Sequence, residues 1–161
     1  MDSEELKSRT KVFAHRCIKL ATALPRTPLG RHIESQLIRC STSVASNYRA
    51  SLHAQSKAAF IAKISIVIEE SDESEFWLEF IIDEQLMSKN QVVYLLNEAH
   101  ELTSIFITTR KTAQKKFHKS TIDNQQSSIR GQSTIRRSHR STTRPTSAQT
   151  ARAASRRSIH R

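Results

Sequence analysis

Two consecutive stretches of the chain decide its fold. They read LGRHIESQLIRCSTSVASNYRAS over residues 29–51 and FIAKISIVIEESDESEFWLEFIIDEQL over residues 60–86. Apolar side chains recur in both at every third or fourth position, with no proline and a single glycine. This spacing is typical of long amphipathic α-helices. The stretches therefore predict two adjacent helices. Polar residues that repeat between the apolar ones predict a set of polar side chains on the facing sides of these helices, hereafter the polar inlay.

Two further helices are predicted, one on each side of this pair. The first runs from about Glu4 to Leu24 and is stopped by Pro25, whose ring removes a backbone donor and disfavours helix at the preceding residue. The last begins at Ser88, which forms a capping-box pattern with Gln91, and fades near Lys116. Four helices with short links predict an all-α, antiparallel up-down-up-down four-helix bundle.

Each predicted helix carries an apolar stripe that should form the core. The stripe residues, in chain order, are Phe13, Cys17, Leu20, Ala21, Leu24, Leu29, Ile33, Leu37, Cys40, Val44, Tyr48, Leu52, Phe60, Ile64, Val67, Ser71, Ser74, Leu78, Ile81, Val92, Leu96, Ala99, Thr103 and Phe106. The serines in the third stripe are small, which predicts close approach of the helices at that level.

The charge is concentrated at one end of the chain. The 161 residues carry a formal charge of +11. Residues 1–119 hold 17 Lys and Arg against 14 Asp and Glu, whereas residues 120–161 hold nine Arg and one acid, Asp123. The last segment is rich in Ser, Thr and Arg and has few large apolar residues, so it cannot bury enough surface to offset its ordering entropy. The predicted organisation is a bundle over residues 1–118 and a disordered tail over residues 119–161.

The cysteines and the hydropathy indicate a cytoplasmic protein with no membrane partner. Cys17 and Cys40 lie on apolar helix positions without the spacing of a metal site, which predicts buried thiols in a reducing compartment. No apolar run approaches the ~20 residues that a membrane span needs. The acidic beginning of the chain is unlike a secretory or mitochondrial leader.

A set of polar and apolar positions in the central helices resembles a known family. These positions are Gln36, Leu37, Arg39, Thr42, Ser43, Asn47, Tyr48, Arg49, Ala50, Ser56, Lys57, Phe60, Ile61, Lys63, Glu70, Glu73, Trp77 and Leu78. In this order they resemble the four-helix-bundle proteins of intervening sequences in bacterial 23S rRNA genes, over about Phe13 to Thr109. The chain departs from the pattern at Ser46, where similar sequences often have glycine, and in its Arg-rich tail, to which nothing carries over.

The resemblance implies an oligomer and a set of candidate partners. Similar proteins form ring-like homopentamers, and their molecular role is largely unassigned. A related branch accompanies the reverse transcriptases of diversity-generating retroelements, where a basic pentamer binds the enzyme and nucleic acid. The expected partners are therefore other copies of the chain, RNA or DNA, and a reverse transcriptase.

The polar inlay is predicted to form pairs between the two central helices. If the chain turns near residue 54, Arg39 faces Glu70, Gln36 faces Glu73, and Asn47 comes near Lys63. One interpretation is a semi-buried ion-pair network that sets helix register or subunit contacts, and the other is a binding site for an ion or a polar ligand. Charged pairs within bundles most often specify register, which favours the structural network.

No residue pattern indicates catalysis, a cofactor or a metal. None of the Glu residues in the acidic run over residues 69–75 is followed by His three residues later, as in carboxylate-bridged di-metal bundles. The seven histidines form neither an HExxH motif nor a His/Cys cluster. Trp77 is predicted to be a core or interface anchor. The sequence thus predicts a non-enzymatic protein.

The basic residues near the end of the chain give the functional hypothesis. The predicted nucleic-acid-binding residues are Arg130, Arg136, Arg137, Arg140, Arg144, Arg152, Arg156, Arg157, Lys111, Lys115 and Lys116. Guanidinium and ammonium groups bind phosphates of RNA or DNA by releasing counterions. Five tails in a pentamer would act together. The alternatives are that the tail has incidental affinity for polyanions, or that the bundle is an adaptor for a partner enzyme such as a reverse transcriptase.

Overall fold

The protein is described by a computed structural model that covers the backbone of residues 2–140 and the side chains of residues 2–115. It forms four helices, α1 (Ser3–Thr22), α2 (Pro28–Ser51), α3 (Lys57–Asp83) and α4 (Lys89–Arg140). Residues 2–140 contain no strand. The chain divides into two units, Met1–His118 and Lys119–Arg161, and α1, α2 and α3 lie entirely in the first.

Side chains cap the starts of the first three helices. The Asp2 carboxylate accepts from the Glu5 backbone N–H at 2.8 Å, and the Glu5 carboxylate accepts from the Asp2 N–H at 3.3 Å, so α1 begins with a capping box. Thr27 and Ser56 each accept from the backbone N–H three residues later, at 3.0 and 3.1 Å. These bonds satisfy donors that have no partner within the helix and thereby fix where each helix begins.

The link between α1 and α2 is tight enough to require a glycine. A Cβ atom added at Gly30 would lie 2.0 Å from the carbonyl oxygen of Pro25, which is backbone and cannot move aside as a side chain can. The two helices therefore enter their turn at a separation that only glycine permits.

The predicted stripes form one core, which confirms the fold class. All of the α1 stripe is buried, as are Ile33 to Tyr48 of the α2 stripe and Ile64 to Ile81 of the α3 stripe. Leu29 is the exception, with 37% of its surface exposed at the start of α2. Leu52, Phe60 and Leu96 are partly buried against the core.

Hydrogen bonds between α2 and α3, and between α3 and α4, are compatible with the predicted antiparallel arrangement. They join Arg39 to Glu70 and Asn47 to Lys63 between α2 and α3, and Ser65 to Arg110 and Glu75 to His100 between α3 and α4. As residue numbers rise on one helix, those of the partners fall on the next. Within residues 2–115 this is the order of an antiparallel bundle.

The interior contains hydroxyl groups that contact the neighbouring helix. Thr103 of α4 donates to the Ser71 hydroxyl of α3 at 2.9 Å, and Ser74 of α3 lies 3.1 Å from the sulfur of Cys40. Ser71 and Ser74 donate to carbonyls three and four residues earlier in α3, at 3.0 and 2.8 Å, and the Ala99 carbonyl, at 2.9 Å, is an alternative acceptor for the Thr103 hydroxyl. Buried polar side-chain atoms of residues 2–115 all have a partner.

The last helix is longer than the sequence predicted. Helix 4 was expected to fade near Lys116, but α4 continues to Arg140. Residues 89–140 contain no proline and only one glycine, Gly131, so no strong helix breaker interrupts the segment. Of the predicted disordered tail, residues 119–140 are thus helical, and residues 141–161 lie outside the described residues. Within the part described, no helix has both the length and the apolar character needed to cross a membrane.

Candidate functional site

Arg39 is the centre of the polar network between α2 and α3. Its Nη1 donates to Glu70 at 3.1 and 3.4 Å, and its Nη2 donates to Glu73. Its Nε donates to the side-chain oxygen of Gln36, one turn earlier on α2, at 3.3 Å. One guanidinium therefore connects two carboxylates of α3 to an amide of α2.

The structure brings the predicted inlay residues together, with one difference in pairing. Arg39 meets Glu70 as expected, and Lys63 donates to Asn47 at 3.2 Å. Gln36 was expected to face Glu73. It accepts a hydrogen bond from Arg39 instead, and the Arg39 guanidinium donates to the Glu73 carboxylate. A long arginine on the same helix face reaches across the helix contact more easily than a glutamine does.

The network is partly buried. The Arg39 side chain is 49% exposed, against 17% for Glu70 and 32% for Glu73. The Arg39 hydrogen bond, followed by that from Trp77, keeps the pKa of Glu73 below its usual value, although partial burial opposes this. The bond to Glu73 raises the pKa of Arg39. Because its donors and acceptors already bind one another, the network is better suited to holding α2 against α3 than to binding a polar ligand.

An aromatic cluster adjoins this network on the surface. Trp77 donates its Nε1–H to Glu73 at 3.1 Å. Its ring lies edge-on to three others, with centroid distances of 4.9 Å to Phe76, 5.4 Å to His32 and 6.0 Å to Phe80. Phe76 is 48% exposed. His32, Phe76, Trp77 and Phe80, hereafter the aromatic cluster, therefore present apolar surface to solvent beside charged groups.

An ion-pair cluster between α1 and α4 was not predicted from the sequence. Arg9 donates to both carboxylate oxygens of Glu98 at 2.7 and 2.9 Å, and to Glu101 at 2.6 Å. This bidentate geometry is the strong form of such a pair, and the bond to Glu98 raises the pKa of Arg9. The partners lie about ninety positions apart, so no local turn sets their register, and no signal in a single sequence aligns the two helices.

The predicted nucleic-acid-binding residues are described only in part. Lys111 and Lys115 are exposed on α4, and Arg110 lies 3.4 Å from the Ser65 hydroxyl. The side chains of Lys116, Arg130, Arg136, Arg137, Arg140, Arg144, Arg152, Arg156 and Arg157 lie outside the described part. Their role remains a prediction.

The two thiols are buried and unsuited to nucleophilic chemistry. Cys17 and Cys40 are free and have no exposed surface. Burial raises the pKa of both, that of Cys40 to about 11 although Ser74 donates to it. At neutral pH both are therefore thiols rather than the reactive thiolates. Within the described part of the chain, no group of three or more His, Cys, Asp or Glu is arranged to hold a metal ion.

Comparison with known proteins places these features in a family. The model of the 23S rRNA-intervening sequence protein family matches residues 4–108. A crystal structure of a protein of unknown function from the S23 ribosomal protein family of Bacteroides thetaiotaomicron is similar, with a TM-score of 0.64 and 30% identity. That match covers 69% of this chain and 99% of the other. A comparison with curated proteins found no match. Since the family model covers more than half of the chain, including nearly all of α1 and the whole of α2 and α3, the protein belongs to the 23S rRNA-intervening sequence protein family.

Proposed function

We propose that the protein is a non-enzymatic, homo-oligomeric scaffold that binds nucleic acid in the cytoplasm through basic charge. The observation that carries the proposal is the segregated charge of the chain, with nine Arg and one acid in residues 120–161. Guanidinium groups bind phosphate oxygens at two points. The internally paired network around Arg39 and the protonated cysteines supply no reactive group, which supports a binding role over a catalytic one.

Nucleic-acid binding is tested with the full chain and a variant in which the nine tail arginines are changed to Gln. Labelled RNA and DNA of one sequence are titrated by fluorescence anisotropy at about 50 and 200 mM salt. We expect the natural chain to bind both with little sequence preference, because charge alone carries the contact. Its affinity should fall steeply with salt, by a log–log slope of about 0.7 for each phosphate neutralised on single strands. Absence of binding by the natural chain at both salt concentrations would contradict the proposal.

Self-association is supported by the apolar surface of α3. Phe76 is 48% exposed, and Ile61, Ile68 and Ile82 are only partly buried. Burying such surface between copies removes it from water at roughly 25 cal/mol per Å². We expect a homopentamer, with a mass in light scattering about five times the 18.4 kDa of the chain.

The oligomer test uses two matched substitutions. Phe76→Glu should lower the measured mass, because it places a charge in the expected interface. Tyr94→Glu is the control, since Tyr94 is 60% exposed on α4 and stacks only on Arg16 among the aromatic and cationic contacts of residues 2–115. A monomeric mass for the natural chain at micromolar concentration contradicts the oligomer.

A second candidate function is an adaptor for a partner enzyme such as a reverse transcriptase. It is favoured by the aromatic cluster and by the charge of α3, which has two Lys against seven Asp and Glu. An exposed aromatic group beside acids suits a basic protein partner. A gene position beside a reverse transcriptase would favour this candidate. Co-expression of the two chains would then give a complex that Phe76→Glu weakens, while the natural chain alone binds no nucleic acid.

A further inference from the structure

The charge of the folded bundle is also segregated by helix. Together α1 and α2 carry eight Lys and Arg against three acids, whereas α3 carries two Lys against seven acids. The small net charge of residues 2–115 suggests that cations and acids are evenly mixed. The count by helix shows that they are not. Eight of the cations lie on α1 and α2, of which Arg9 and Arg39 are paired with acids of α4 and α3.

An open groove of about 420 Å³ runs between α1 and α2. Lys7, Lys11 and His15 line it from α1, and Arg49 lines it from α2. Small residues such as Ala14 and Ala45 contribute to its lining, and no carboxylate does. The groove, hereafter the basic groove, is thus bordered by cations on both helices.

The cations of the basic groove differ in whether they already have partners. Lys7 is paired with Glu4 at 2.9 Å. None of the ion pairs described within residues 2–115 includes Lys11 or Arg49, and both side chains are exposed. The hydroxyls of Thr42 and Ser46 donate to carbonyls of their own helix, at 2.7 and 3.2 Å. The donors available to a ligand are therefore the charged ones.

We propose that the basic groove binds the sugar–phosphate backbone of single-stranded nucleic acid, and that Lys11 and Arg49 bind its phosphates. This inference rests on the proposed function and locates a binding site on the bundle, separate from the tail. Residues four apart on one helix are about 6 Å apart along its axis, so the Lys7 and Lys11 ammonium groups are spaced lengthwise along the groove. Packed helices are separated by about 8–10 Å, which suits a single strand rather than a duplex. No aromatic side chain other than His15 lines the groove, so binding is largely independent of base sequence.

The test neutralises the groove in two versions of the full chain. Lys11→Gln with Arg49→Gln is made in the natural chain and in the chain whose nine tail arginines are Gln. The matched control is Lys57→Gln with Lys89→Gln, which removes the same charge at exposed positions outside the groove. Binding of a single strand of about ten nucleotides, within the 4–16 that such sites cover, is measured by anisotropy, and circular dichroism verifies folding.

Losing two phosphate contacts should make the log–log dependence of the binding constant on salt less steep by about 1.4. Near 0.1 M salt the affinity should fall by about 25-fold. We expect this loss for the groove variant and a smaller one for the control, most clearly in the chain with the neutral tail. Equal losses in groove and control variants would overturn the groove while leaving nucleic-acid binding by the natural chain intact. If the natural chain binds no nucleic acid, the proposed function and the groove fail together. If the groove variant binds normally but its mass in light scattering changes, the groove is a contact between copies and the inference is wrong.

Discussion

Replacing Arg39 by Met should destabilise the bundle by about 1–2 kcal/mol. The substitution keeps much of the length of the aliphatic stem and removes a guanidinium that donates to Glu70 at 3.1 Å and to Glu73. A fully buried pair would cost ~3–5 kcal/mol on losing one partner, and an exposed pair about 0–1 kcal/mol. Arg39 is 49% exposed and Glu70 only 17%, so two pairs of intermediate exposure give a loss between these limits.

The measurement is urea unfolding followed by circular dichroism, arranged as a double-mutant cycle with Glu70→Leu. The double variant should recover about 0.5–1 kcal/mol relative to the sum of the single losses, because Glu70 is then not left without its partner, while Glu73 loses its bond to Arg39 in both Arg39 variants. Arg49→Met is the control, since Arg49 is exposed on the same helix and takes part in no ion pair described within residues 2–115. Its effect should stay within about 0.5 kcal/mol. Strictly additive losses, or an Arg39 effect no larger than the control, would refute the argument.

Three further results are expected. The folded-state pKa of Glu73 lies below its ordinary value of 4.5 because Arg39 donates to it. The protein should therefore lose stability as the pH falls through that lowered pKa. In acid unfolding, Glu73→Gln should reduce this loss. Gly30→Ala should lower stability by about 1–3 kcal/mol in urea unfolding, since its Cβ would overlap the Pro25 carbonyl; an unchanged midpoint would show that the turn can relax. Cys17 and Cys40 should react with iodoacetamide at neutral pH only as fast as the bundle opens, and rapid labelling of the folded chain would contradict their burial.

Periodicity predicted the helices and nearly all of the core because each apolar stripe is a local property of one segment. The α2–α3 pairs were predictable for a related reason, since a short turn fixes the register between adjacent helices. Arg39 and Glu70 could be aligned by counting from the turn near residue 54. The cluster of Arg9 with Glu98 could not, because two whole helices and three turns separate the two residues.

Burial and surface placement were less accessible to sequence reasoning. The exposure of Arg39 depends on how far its side chain leans out of the contact between α2 and α3, which residue spacing does not determine. The basic groove was also hidden, because counting charge along the chain averages α1 and α2 with the acidic α3. The end of α4 was missed since Ser, Thr and Arg permit a helix without demanding one.

The interior hydroxyls have a consequence for which substitutions the core tolerates. Ser71, Ser74 and Thr103 each have a carbonyl of their own helix within hydrogen-bond distance, so each keeps an acceptor even when the helices separate. Removing one hydroxyl leaves no stranded donor on the facing helix, whereas adding volume forces apart backbones that meet there. These positions therefore select for size and are nearly indifferent to polarity. At Ser71 and Ser74 alanine should therefore be accepted where the larger valine is not, and sequences that drift at this level can exchange serine for alanine without altering the bundle.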